Sequence, residues 1–120
     1  MPIYPNFDNT VMLVEGSPIE VADCNAMIAT MNAAGYWFTD MKFVNSGNAL
    51  MLFCKQDPIF GYEQEQKINE VDYTQAALDA DKAAEIVNGF WPTGIFIRPI
   101  SDEDDPTPFI HYQRLDELPT

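Results

Sequence analysis

Residues 36–55, YWFTDMKFVNSGNALMLFCK, decide how this chain is read. Two runs rich in aromatic and branched residues flank Asn45-Ser46-Gly47-Asn48, which supplies turn chemistry, so the stretch reads as a β-hairpin. With Ser46-Gly47 as the two-residue loop, Val44 faces Ala49, Met41 faces Leu52 and Thr39 faces Cys54. Side chains alternate across a strand, so Trp37, Thr39, Met41, Phe43, Leu50, Leu52 and Cys54 share one face, taken as the core side. Tyr36, Phe38, Asp40, Lys42, Met51, Phe53 and Lys55 share the other. That face mixes large apolar groups with charge and reads as a surface for a dimer mate or partner.

Upstream, Val11-Met12-Leu13-Val14 has the look of a central strand. Ser17-Pro18-Ile19-Glu20 then carries a capping serine, a proline suited to the first helical position and an acid at capping-box spacing. The spacing predicts a helix from there to about Ala34, stopped by Gly35, with Val21, Cys24, Ile28 and Met31 on its inner stripe. Downstream, residues 62–71 are polar and acidic, with weak strand character at most. Asp72 and Thr74 are both plausible caps for an alanine-rich helix ending near Asn88-Gly89. Its expected inner stripe is Ala77, Ala80, Ala84 and Val87, with Asp79, Lys82 and Glu85 toward solvent. Residues 90–100 read as a final strand whose Pro92 and Pro99 suit an edge position.

The resulting β-α-β-β-α-β order is the ferredoxin-like arrangement, an α+β fold with an antiparallel sheet and both helices on one face. Residues 1–100 form the expected single domain. Residues 101–120 read as an acidic, proline-bounded linker followed by a C-terminal arm carrying Phe109 and Tyr112. No internal repeat is visible.

Charge narrows the class of partner. The net charge is -13 on 120 residues, distributed as six acids against two bases in residues 1–60 and thirteen against four in residues 61–120. Such a field disfavours direct contact with nucleic acid or an anionic membrane and steers basic proteins toward the surface. The N-terminal segment lacks a basic stretch followed by an apolar run, and Cys24 and Cys54 make no disulfide framework, so a reduced, cytoplasmic protein is the expectation.

Motifs for chemistry are sparse. No phosphate-binding glycine loop or nucleophile elbow occurs, and the single histidine, His111, lacks companions at metal-ligand spacing. No metal, cofactor or catalytic residue is assigned. The acidic residues Glu63, Glu65, Glu70, Asp72, Asp79, Asp81, Glu85, Asp102, Glu103, Asp104 and Asp105 are the candidate partner-binding set. Phe38, Met51, Phe53, Phe109 and Tyr112 are the candidate dimer or partner face.

The segment Met31-Asn32-Ala33-Ala34-Gly35-Tyr36-Trp37, followed by the hairpin, resembles small uncharacterised bacterial and phage domains in which a helix ending in an asparagine-to-glycine segment feeds an aromatic-led strand pair. The resemblance covers residues 21–55. It implies no activity and transfers no site, and the acidic second half has no counterpart in it.

These readings lead to a non-catalytic acidic module that binds a basic, nucleic-acid-handling host protein, in the manner of inhibitors deployed by phages and mobile elements. A ferredoxin-like dimer with a small-molecule pocket, or a cofactor-free enzyme, is the alternative, with Arg98, Tyr36 and Trp37 as pocket groups. A structural assembly subunit is the third.

Overall fold

A computed structural model describes residues 9–55, 62–99 and 106–117. The elements run β1 (Asn9–Glu15), α1 (Val21–Ala33), β2 (Tyr36–Asn45), β3 (Asn48–Lys55), β4 (Tyr62–Glu70), α2 (Gln75–Val87), β5 (Trp91–Arg98) and β6 (Thr107–Glu117). They form two three-stranded antiparallel sheets, ordered β1-β3-β2 and β4-β6-β5. The α+β expectation holds. The single ferredoxin-like sheet does not, because residues 62–70 and 107–117, read from sequence as acidic approach and terminal arm, are strands. The supposed arm supplies β6, the central strand of the second sheet.

The chain is therefore a βαββ unit followed by a second βαββ unit with the same strand order. Shifting α1 and β2 by 54 residues lays them on α2 and β5. Ala22, Ala26, Ala29, Gly35, Trp37 and Thr39 then fall on Ala76, Ala80, Ala83, Gly89, Trp91 and Thr93. The match extends to irregularities. The β2–β3 ladder skips a residue between Phe38 and Asp40, and the β5–β6 ladder skips one between Pro92 and Gly94. The extra residues are Thr39 and Thr93, and both hydroxyls turn to the opposing strand, on the Leu52 and His111 carbonyls.

Local chemistry explains the helix ends. Thr74 caps α2 by accepting the Ala77 N–H at 3.1 Å. Gly35 and Gly89 follow the two helices at φ 88° and 84°, a backbone that only glycine adopts cheaply. The start of α1 differs from expectation. Glu20 is its N-cap, with the Asp23 carboxylate accepting the Glu20 N–H at 2.9 Å, and the Ser17-Pro18 bond is cis and outside the helix.

Two bulges overturn the hairpin register. Extra residues at Val44 and Thr39 pair Phe43 with Ala49, Met41 with Met51 and Phe38 with Phe53. Each bulge shifts one strand by a residue and so exchanges its faces. Phe38, Met51 and Phe53 consequently lie in the core, almost fully buried. Leu50, Leu52, Cys54 and Trp37 lie on the opposite face. β1 is an edge strand rather than a central one, and it adds Val11, 56% exposed, and Leu13, 51% exposed, to that outer face.

The main core is a sandwich. The inner face of the first sheet is covered by Cys24, Ile28 and Met31 of α1 and by Ile68 and Phe109 of the second sheet. Phe38 stands at the centre, edge-on to Phe53, Phe96 and His111. Phe43 meets Phe109 in the same way. Two side-chain amides tie the layers by imitating strand pairing. Gln66 accepts the Phe38 N–H at 2.9 Å and donates to its carbonyl at 2.8 Å. Asn25 does the same for Ile68, at 2.8 and 2.9 Å. Each amide satisfies a backbone edge that would otherwise be an orphan donor and acceptor. A smaller cluster of Val71, Phe90, Ile110 and Tyr112 lies under α2.

Candidate binding surfaces

The second helix sits on its sheet through Ala77 and Leu78 in its first turns and through polar contacts beyond them. Where α1 buries Cys24, Ile28 and Met31, the equivalent positions of α2 are Leu78, Lys82 and Glu85. Glu85 is buried, contrary to the expectation that it faces solvent, while Val87 of the expected inner stripe is 85% exposed. Three groups contributed by β4 and β6 make this possible. Lys67 pairs with the Glu85 carboxylate at 2.5 Å, and Asn69 donates to the same oxygen. Tyr112 donates its hydroxyl to Asp81 at 2.7 Å, and Asn69 reaches Asp81 as well. Burial works to raise the Glu85 pKa, but the bonds from Lys67 and Asn69 and the Lys67 charge outweigh it and hold the carboxyl below its usual range. Burial, with the Asp81 bond and the charges of Asp81 and Glu85, pushes the Tyr112 phenol upward. Neither group is poised to exchange a proton near neutral pH.

This cluster carries a stability prediction. Replacing Lys67 by alanine strips Glu85 of its cation, and the fold should lose about 1–3 kcal/mol. The double change Lys67→Met with Glu85→Leu should recover most of that loss, because an apolar pair removes the desolvation cost altogether. Urea midpoints of the two variants test it. A double variant no more stable than Lys67→Ala would mean that the pair contributes more than mutual neutralisation.

Of the candidate acidic residues, Glu65 pairs with Arg114 and Glu70 with Arg98. Asp81 and Glu85 are occupied as described. Asp72 and Asp79 are exposed. The Glu63 side chain and residues 102–105 lie outside the described residues. Glu70 and Asp72, with Val71, Tyr73, Thr74, Pro106 and Thr107, line an open cleft of about 490 Å³ at the end of β4.

The apolar candidates are corrected together. Phe38, Met51, Phe53, Phe109 and Tyr112 are each 1% exposed or less, so none is available to a partner. The exposed apolar surface instead includes Val11, Leu13, Leu50 and Val44 on the first sheet, Trp91, Ile95 and Ile97 on β5, and Tyr73 and Val87 at the two ends of α2. Of these, Leu50 reads from sequence onto the core side of the hairpin, and the register places it on the outer one.

The pocket read around Arg98, Tyr36 and Trp37 is not assembled. Arg98 is buried, donating to the Ile19 carbonyl at 2.7 Å, with its guanidinium over Phe109. Tyr36 and Trp37, as neighbours on a strand, point to opposite faces. Cys24 lies in the core, where burial, reinforced by Asp23 and opposed by Arg98, pushes its thiol up to about 12. Cys54 lies on the outer face, against the Thr39 hydroxyl. The two thiols, both free, thus lie on opposite sides of the first sheet.

Among the described residues, no helix is long and apolar enough to cross a membrane. Comparisons with protein-family models, curated proteins and solved structures found no match to this chain.

Proposed function

We propose that the chain is a non-catalytic, acidic protein-binding module that engages a basic protein through its second unit. The inhibitors that phages and mobile elements direct at nucleic-acid-handling host proteins work in this way. The observation carrying this reading is how the cations are spent. Residues 61–120 contain four bases, and Lys67, Arg98 and Arg114 are each committed to a carboxylate, Glu85, Glu70 and Glu65. None of these three cations pairs with the exposed Asp72 or Asp79, and the net negative field of that half attracts cationic surfaces. The cleft bordered by Glu70 and Asp72, with the exposed Tyr73 ring beside it, suits a lysine or arginine side chain of the partner.

Affinity capture at about 50 mM salt, followed by titration of the purified partner, tests the reading. Binding should weaken at least about tenfold by 0.3 M salt, because both surfaces are solvated and screened. Asp72→Asn with Asp79→Asn should weaken it further and flatten the salt dependence. Affinity indifferent to salt and to those two substitutions would remove the electrostatic basis of the proposal.

A further inference from the structure

The two units do more than repeat one another; they stack in one direction. The second sheet presents Ile68, Phe96, Phe109 and His111 to the first unit, on the face that points away from α2. The first unit receives them with Phe38, Met41 and Phe43, on the face that carries α1. Each unit thus contributes a different face, and the internal interface is head-to-tail.

Such an interface leaves one copy of each face unused, at opposite ends of the chain. The strand registers identify them. Equivalents of Ile68, Phe109 and His111 on the first unit are Val11, Leu50 and Leu52. With Leu13 they form the apolar part of the outer face of the first sheet, which also carries Lys42, the equivalent of Phe96, and Asp40. Equivalents of Phe38, Met41 and Phe43 on the second unit are Pro92, Ile95 and Ile97, of which Ile95 is 66% and Ile97 42% exposed. Both unused halves of a packed interface therefore expose apolar residues on the same molecule, with Lys42 in place of Phe96 on the first. Isolated exposed leucines are ordinary, but two matching halves of one interface are not.

We propose that the chain self-associates head-to-tail, the outer face of the first sheet of one copy docking on the β5 side of the second unit of the next, as the two units dock within the chain. The occupant is a second copy because the chain already displays this contact once, between its own halves. A heterologous contact of this kind propagates to assemblies larger than a dimer, whether it closes into a ring or stays open. The contact between copies is weaker than the internal one. Phe38, whose N–H is clamped by Gln66, is replaced by Pro92, which has no N–H, and Asn25 is replaced by Asp79, which cannot donate. Association should therefore depend on concentration. Because every copy carries -13, added salt should strengthen it, opposite to the effect expected for a basic partner.

Sedimentation of the full chain with two charge variants tests the proposal. Leu13→Asp disables one face and Ile97→Asp the other, each at an exposed position. The unaltered chain should exceed dimer mass as concentration and salt rise. Each variant alone should remain monomeric, and an equimolar mixture should form a 1:1 complex and nothing larger. Val11→Lys and Ile95→Lys serve as a second pair, with circular dichroism excluding unfolding. An unaltered chain that stays monomeric at high salt overturns the proposal. So does an Ile97→Asp variant that associates normally, which would mean symmetric pairing of first-sheet faces, or a mixture of variants that stays monomeric.

Discussion

Truncating Phe38 to alanine is expected to cost about 3–5 kcal/mol of stability, the range for deleting a large buried aromatic. Phe38 is 1% exposed and sits where all the layers of the main core meet. Its ring is edge-on to Phe53 of its own sheet at 5.7 Å and to Phe96 and His111 of the other sheet at 5.6 and 4.7 Å. Alanine removes those contacts from both sheets at once, and the rigid strands on either side leave little freedom to collapse into the void. Against a typical domain stability of about 5–15 kcal/mol, the loss is a large fraction of the whole. The urea midpoint should fall while the slope of the transition stays constant. Leu13→Ala, at an exposed position, provides the contrast and should cost about 0.5 kcal/mol or less. A Phe38→Ala variant within about 1 kcal/mol of the parent would show that the two sheets do not depend on this ring.

The same residue marks where the sequence pattern stops specifying the fold. Signals carried by neighbouring residues were legible: Thr74 and Gly89 bound α2 as expected, Gly35 ends α1, and Pro92 lies on an edge strand. Whatever depends on counting along a strand was not. One extra residue at Thr39 and another at Val44 exchange the faces of the hairpin, and nothing in the composition of either residue announces a bulge. β6 was hidden because its strand pattern follows an acidic, proline-rich run that reads as a boundary. The duplication was hidden because its second copy replaces apolar helix positions by Asp81, Lys82 and Glu85. Their partners Lys67, Asn69 and Tyr112 come from strands distant in sequence. The signal that could have exposed it is Gly-aromatic-Trp-x-Thr at residues 35–39 and again at 89–93, a fixed shift of 54.

The duplication also separates the two kinds of surface. In the first unit, helix and sheet are joined by apolar packing, and the surplus apolar residues appear on the outside, at Val11, Leu13 and Leu50. In the second unit the face pointing away from α2 is consumed by the main core, and the helix is held by Ala77 and Leu78 together with the Lys67–Glu85 and Tyr112–Asp81 contacts, while Ile95 and Ile97 of β5 stay exposed. Two copies of one motif thus leave exposed apolar residues at both ends, on the first sheet and on β5, and exposed carboxylates, Asp72 and Asp79, just before α2 and along it. An acidic binding surface and a self-association surface can coexist on such a chain without competing for residues.

Acidification should destabilise the protein already between pH 6.5 and 5, and His111 is the cause. Its ring lies in the interior against Phe38, with Nδ1 2.7 Å from the Thr93 hydroxyl and Nε2 buried without a hydrogen-bond partner among the described residues. Burial disfavours the imidazolium and pushes the pKa down from 6.5 to about 4. Because the folded pKa lies below the unfolded one, the unfolded chain binds the proton first. The stabilising contribution is therefore complete above pH 6.5 and is lost as pH falls toward 4. The full difference is roughly 3 kcal/mol, and about 2 kcal/mol of it should be gone by pH 5. The Glu85 carboxyl acts with the same sign, but its folded pKa lies below 4.5, so the window from pH 6.5 to 5 belongs to the histidine. His111 is the single histidine of the chain, which makes the assignment direct. Urea midpoints between pH 8 and 5 should fall for the parent and stay level for His111→Leu, whose Thr93 hydroxyl retains the backbone carbonyl of residue 111 at 3.4 Å. A ring proton resonance titrating near 6.5 in the folded protein, or a parent stability flat across that range, would contradict a histidine held neutral by its burial.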